Sequence, residues 1–215
     1  MSKTTHIIAV LDRSGSMGSL VDEVITNFNY FIKEQQSVEG KAKLTLVLFD
    51  DRYEVLYDEV DLQEVQPLTK DQYFARGMTA MYDAVGKVLT DKQKKKKGIV
   101  FIHTDGLENA SREWSASKVK EKIKDLETKW DFIFAGANID AFDEGAQFGM
   151  LNSNTINVTN DSHGITRTYA NVLAKTTAYR TVGLSASASL DLESIQNYAD
   201  SDKVINEILN KTKAQ

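Results

Sequence analysis

Apolar residues fall into two rhythms that alternate along the chain. Short continuous runs rich in Ile, Val and Phe recur, and these read as strands buried on both faces. They predict strands over 5–11, 44–49, 99–104, 131–135 (closed by Gly136) and 155–158. Between the runs, apolar residues recur at three and four, as on one face of a helix. Val21, Val24, Ile25, Phe28, Phe31 and Ile32 mark the first such face. Further helices are predicted over 79–90, 115–129 (Val119, Ile123 and Leu126 inward) and 139–148. A longer one runs to about Arg180, capped by Asp161 or Ser162. Asp50-Asp51-Arg52 is too short a link for a parallel return, so the strand beginning Tyr53-Glu54-Val55-Leu56-Tyr57 must form an antiparallel hairpin with 44–49. The alternation predicts an α/β fold, doubly wound, with helices on both faces of a mostly parallel sheet.

The pattern changes at Gly183. Ser185-Ala186-Ser187-Ala188-Ser189 is followed by Leu192, Ile195 and Tyr198, then Val204, Ile205, Ile208 and Leu209, at helical spacing. Residues 1–182 are therefore expected to form one domain. Residues 183–215 would be an amphipathic helical extension that docks on it or on a partner.

Composition narrows the function. The chain has 215 residues, 41% of them hydrophobic, enough for one domain with a true core. It has no Cys, so thiolate metal sites and disulfides are excluded. The start, Met1-Ser2-Lys3-Thr4-Thr5, lacks a signal sequence. No apolar run approaches the roughly 18 residues of a membrane span. The expectation is a cytoplasmic protein with no membrane contact. A net charge of −5 argues against nucleic acid as the partner. Lys94-Lys95-Lys96-Lys97 reads as a solvated turn between a helix and a strand.

The candidate chemistry sits where the strands end. Asp12-Arg13-Ser14-Gly15-Ser16 follows the first run directly and offers one carboxylate and two hydroxyls at alternate positions. Thr79 lies in the Gly77-Met78-Thr79-Ala80 turn, and Asp105-Gly106 ends the run Gly98 to Thr104. These are hard oxygen donors of the kind Mg²⁺ accepts at about 2.1 Å while keeping some water. Ligands in open α/β sheets bind beyond the carboxyl ends of the strands. Each piece alone is a common turn or cap.

In this order and context, D-x-S-x-S, a lone Thr and T-D-G resemble the metal-ion-dependent adhesion site of the von Willebrand factor type A (vWA) family. The likeness covers roughly residues 3–182. It implies a six-stranded sheet in the order 3-2-1-4-5-6 with strand 3 antiparallel, so that Asp12 and Asp105 converge on one crevice. It implies Mg²⁺, with Mn²⁺ an alternative, held by Asp12, Ser14, Ser16, Thr79 and Asp105. It also implies a protein partner whose exposed Asp or Glu completes the metal shell. Compact cysteine-free members of bacteria and bacteriophages are similar.

Where many members have two glycines before the Thr, this chain has Gly77-Met78, and Met78 is expected to narrow the mouth. Candidate rim residues are Arg13, Met78, Glu108, Asn109, Asn138 and Asp140. For several of them a plainer role is open: a surface Arg for Arg13, a loop contact or a bond to metal-bound water for Glu108 and Asn109, a helix cap for Asp140. Asp83 reads as a structural hydrogen-bonding residue, and His103 as a core histidine with its bonds satisfied. Two other functions are carried alongside. One is a structural or assembly subunit that self-associates, with the metal stabilising the fold. The other is a Mg²⁺-dependent phosphohydrolase, disfavoured because Ser14 stands where such enzymes place an acid and no other catalytic motif occurs.

Overall fold

The computed structural model describes residues 4–92, 97–137, 141–147, 149–150, 154–159 and 161–183. The 183–215 extension, Gly183 apart, and the candidate rim residues Asn138 and Asp140 lie outside them. The strands are β1 (Thr5–Asp12), β2 (Ala42–Phe49), β3 (Tyr53–Asp61), β4 (Gly98–Thr104), β5 (Trp130–Ala137) and β6 (Thr155–Val158). The helices are α1 (Val21–Ser37), α2 (Met81–Lys92), α3 (Ala116–Leu126), α4 (Ala141–Gln147) and α5 (Ser162–Val182).

Among the described residues the strands form a six-stranded sheet in the order β3-β2-β1-β4-β5-β6. All neighbours are parallel except β2 and β3, the expected hairpin. Successive side chains of a strand point to opposite faces. Ile7, Ala9 and Leu11 of β1 therefore pack under α1 and α5, and Ile8 and Val10 under α2 and α3. Burial on both faces is why β1, β2 and β4 read as unbroken apolar runs.

Several boundaries differ from expectation for physical reasons. A tight 3-10 turn over Gly15–Leu20 precedes α1. α2 begins at Met81 rather than Thr79, because the backbone of Thr79 and Ala80 bonds to other loops. α3 ends at Leu126 and β5 starts at Trp130. Gly136 does not close β5: it pairs with Thr104 on one side and Asn157 on the other. Asp161 caps α5, its Oδ1 accepting the Gly164 N–H at 2.7 Å. No helix among the described residues is long and apolar enough to cross a membrane.

Candidate metal centre

β1 and β4 are adjacent and parallel, so Asp12 and Asp105 emerge at the same end of the sheet. Both are buried. Asp12 Oδ1 accepts the Ser14 N–H at 2.6 Å, which folds the chain back over the strand end. Its Oδ2 accepts the Thr104 hydroxyl, and the Tyr73 hydroxyl donates to its carbonyl. Burial, opposed by these bonds and aided by the Asp105 charge, pushes the Asp12 carboxyl up to about 6. Burial also raises Asp105, against a hydrogen bond from Ser16.

The hydroxyls gather between the two carboxylates. Ser14 Oγ lies 3.1 Å from Ser16 Oγ, and Ser16 Oγ donates to Asp105 Oδ1 at 2.6 Å. Gly106 shows the space they enclose. A Cβ there would lie 3.0 Å from Thr79 Oγ1, 3.2 Å from Ser16 Oγ and 3.7 Å from Ser14 Oγ. Three hydroxyl oxygens thus face one point that a glycine keeps clear. Asp105 Oδ2 is buried with no hydrogen-bond partner among the described residues. An orphaned carboxylate oxygen beside converging hydroxyls fits a hard divalent cation. Among the described residues no group of three or more His, Cys, Asp or Glu converges to hold a metal, so hydroxyls must supply much of such a shell.

A second network fixes the loops that carry these donors. Asp50, just past β2, accepts Arg13 Nε at 2.9 Å and Arg76 Nε at 2.7 Å on Oδ2, and the Arg52 N–H at 2.7 Å on Oδ1. Burial pushes its carboxyl up, but these bonds outweigh it and hold it below the usual range. Backbone bonds tie the same loops: Gly15 N–H to the Gly77 carbonyl at 3.1 Å, Arg76 N–H to the Arg13 carbonyl at 2.9 Å. Asn109 Oδ1 accepts the Thr79 N–H at 2.9 Å and so fixes the Thr79 backbone.

No protein-family model matches the sequence, and no curated protein matches it. Solved structures do. A von Willebrand factor type A protein from Catenulispora acidiphila matches 82% of this chain and 43% of its own, at TM-score 0.58 and 13% identity. Proximal thread matrix protein 1 of the mussel byssus, with a zinc-occupied MIDAS (metal-ion-dependent adhesion site) motif, matches 80% of this chain and 45% of its own, at TM-score 0.57 and 16% identity. The manganese-loaded Plasmodium vivax TRAP protein matches 77% of this chain and 72% of its own, at TM-score 0.52 and 20% identity. The fold is that of a vWA domain. This chain spans less than half the length of the first two.

On this vWA scaffold the five predicted donors come together, but the predicted rim changes. Arg13 is not a rim residue: it is 1% exposed and turned inward onto Asp50, and onto Glu54 at 2.6 Å. A charge inside the motif is buried because two acids reach it from β2 and β3. Glu108 is committed to the loop role that the sequence left open. Its Oε1 accepts the Ala110 and Ser111 N–H groups at 2.9 and 2.7 Å, and its Oε2 accepts the Tyr82 N–H at 2.9 Å, capping α2. Asp83 is structural as expected, accepting three backbone N–H groups from Arg112 to Trp114. Met78 is half-exposed at the mouth. His103 is in the core, stacked on Phe101 and edge-on to Tyr169, but neither ring nitrogen has a hydrogen-bond partner among the described residues. Thr104 and Gly106 belong to the T-D-G motif but carry no role of their own in the sequence, and Asp50 reads there only as part of a hairpin turn.

The raised Asp12 carboxyl predicts a pH-dependent affinity for any cation placed in this crevice. A proton and a cation compete for Asp12, so Mg²⁺ affinity should be level above about pH 7 and fall about tenfold per pH unit below 6, the value to which Asp12 is raised. Calorimetric titrations across pH 5–8 check this. Fold stability is a poorer readout because two groups oppose. Asp12, raised from 3.8 to about 6, adds stability as pH falls through that window. His103, lowered by burial from 6.5 to about 4, removes stability as pH falls through its own window, because the unfolded imidazole takes up its proton first.

Proposed function

We propose that this chain is a metal-dependent protein-binding module. It holds Mg²⁺, or Mn²⁺, through Asp12, Ser14, Ser16, Thr79 and Asp105 and binds an Asp or Glu of a partner protein. The observation that carries the reading is the point kept clear by Gly106, faced by three hydroxyls between two buried carboxylates. The zinc-occupied MIDAS motif of the mussel protein and the manganese-loaded TRAP protein support a divalent cation here. A bound dication would supply an electrophilic site for an incoming carboxylate. The chain's own part is positional. Neutral hydroxyls leave the charge only partly offset, the Asp50 network holds the two loops in register, and Asn109 fixes Thr79.

A catalytic role has less support. Asp12 is buried and its two oxygens accept Ser14 N–H and Thr104 Oγ1, bonds that make the carboxylate a weaker nucleophile while leaving lone pairs for a cation. His103 is sealed in the core.

The test is a calorimetric Mg²⁺ titration of the parent, Thr79→Ala and Asp105→Ala. Each variant should lose at least tenfold in affinity. In chelator Asp105→Ala should be no less stable than the parent, since burial already disfavours that charge. Parent-like affinity in both variants would move the metal elsewhere.

A further inference from the structure

Thr104 ends β4, one step past the last β1–β4 pair, Leu11 and His103, and so stands across from Asp12. Its side chain is fully buried. A hydroxyl has one proton to donate and lone pairs to accept with. The proton goes to Asp12 Oδ2, the closer and charged acceptor, rather than to the Gly106 carbonyl at 3.3 Å. The Gly106 N–H in turn donates to the same hydroxyl at 3.2 Å. One buried oxygen thus joins Asp12, at the head of the D-x-S-x-S loop, to Gly106, whose Cα borders the point that the three hydroxyls face.

Among the described residues a second side-chain bond crosses between the β1 and β4 loops, from Ser16 Oγ to Asp105 Oδ1 at 2.6 Å. Both of its ends are proposed metal ligands, so a cation entering the crevice competes for that bond. Thr104 differs. Its oxygen is committed to protein on both sides, so it is a tie rather than a ligand, and it persists when a cation is bound. Mg²⁺ and Ca²⁺ ask different things of such a tie. Mg²⁺ takes six oxygens at about 2.0–2.1 Å, whereas Ca²⁺ takes six to eight at about 2.3–2.6 Å in a more flexible cage. Accepting Ca²⁺ therefore needs the two loops to part by several tenths of an ångström. A carboxylate gripped at both oxygens, by Ser14 N–H and Thr104 Oγ1, also resists swinging to meet a larger ion.

We infer that Thr104 is a positioning residue that sets cation choice. Its hydroxyl holds the β1 and β4 loops at the spacing of a small octahedral cation, and so favours Mg²⁺ and Mn²⁺ over Ca²⁺. This role rests on the metal-dependent binding proposed above. It differs from that of the five ligands, because removing the hydroxyl takes no donor from the cation. What changes is how far the crevice can open.

Calorimetric titrations of the full chain with Mg²⁺ and with Ca²⁺ test this, on the parent, Thr104→Val and Thr104→Ser. Thermal unfolding of each in chelator runs in parallel. The parent should favour Mg²⁺. Thr104→Val keeps the shape and loses the hydroxyl, and its Mg²⁺ affinity should fall by about 10–100-fold, the usual cost of losing a residue that orients a metal ligand. Its Ca²⁺ affinity should fall less, so that the preference for Mg²⁺ shrinks by about fivefold or more. Thr104→Ser keeps the hydroxyl and should keep the parent's preference to within about twofold. A Thr104→Val protein that is less stable in chelator but keeps the parent's preference makes Thr104 structural only and overturns this inference. If Thr104→Val does not fold, Thr104→Cys carries the test. Its thiol is a weak donor and should also shrink the preference, and a parent-like preference there overturns the inference. A parent that binds Ca²⁺ as tightly as Mg²⁺ overturns this inference alone. A parent that binds neither cation overturns both it and the reading beneath it.

Discussion

Asp50→Ala should destabilise the protein by about 3–5 kcal/mol, the usual result of removing one partner of a buried ion pair. The loss is large because Arg13 stays behind. Its guanidinium is buried and, among the described residues, keeps Glu54, the Gln72 carbonyl at 3.3 Å and the face of the Phe74 ring, none of them a buried carboxylate. Glu54 is itself 49% exposed, so it compensates weakly. Arg76 also loses its carboxylate, and the Arg52 N–H its acceptor. Domains are stable by only about 5–15 kcal/mol, so the variant should be marginal at room temperature. The effect should extend to the site. Arg13 sits between Asp12 and Ser14, and Arg76 lies three residues before Thr79, so Mg²⁺ affinity should drop with stability. Chemical denaturation of Asp50→Ala beside Glu54→Gln measures this. The second variant touches only the exposed end of the network and should lose less than about 1 kcal/mol. Equal losses would mean that Asp50 is not the hub.

Gly106→Ala should remove metal binding and leave the fold intact, with affinity at least a hundredfold lower, about 2.7 kcal/mol. The added methyl would occupy the point the three hydroxyls face. Its contacts are the ends of side chains, which can rotate away, and Gly106 is not among the glycines with positive φ. Gly77 is the contrasting case. Its φ is +68°, and a Cβ there would come within 2.1 Å of Asp51 Oδ1, so Gly77→Ala should strain the loop itself. Calorimetry and thermal unfolding of the two variants separate these effects. A Gly106→Ala protein that binds Mg²⁺ within threefold of the parent would show that the cation does not sit in this cradle.

The architecture was readable where one strand or helix determines its own pattern. β1, β2 and β4 are covered on both faces, so their apolar runs survive without alternation. The convergence of the five candidate residues is legible because each sits at a strand end or turn, and the sheet order brings those ends together. What escaped the sequence depends on distant pairs. Arg13 looks like a surface charge until Asp50, 37 positions later, is placed beside it. Glu108 looks like a rim acid until the start of α2, 26 positions earlier, uses it as a cap. Thr104 and Asp12 are 92 positions apart. The start of α2 escapes the sequence for the same reason: Thr79 has helical neighbours, but its backbone is committed to Asn109 and Ala110. His103 reads as core from its place in the β4 run, but that its ring nitrogens find no partner among the described residues depends on distant packing, not on local pattern.

The most direct measurement is anomalous scattering from crystals of the full chain soaked in millimolar Mn²⁺. The account predicts a single strong peak in the crevice, bounded by the hydroxyl oxygens of Ser14, Ser16 and Thr79 and the carboxylates of Asp12 and Asp105. A crevice without a peak at that concentration, or a peak held by other residues, would contradict it.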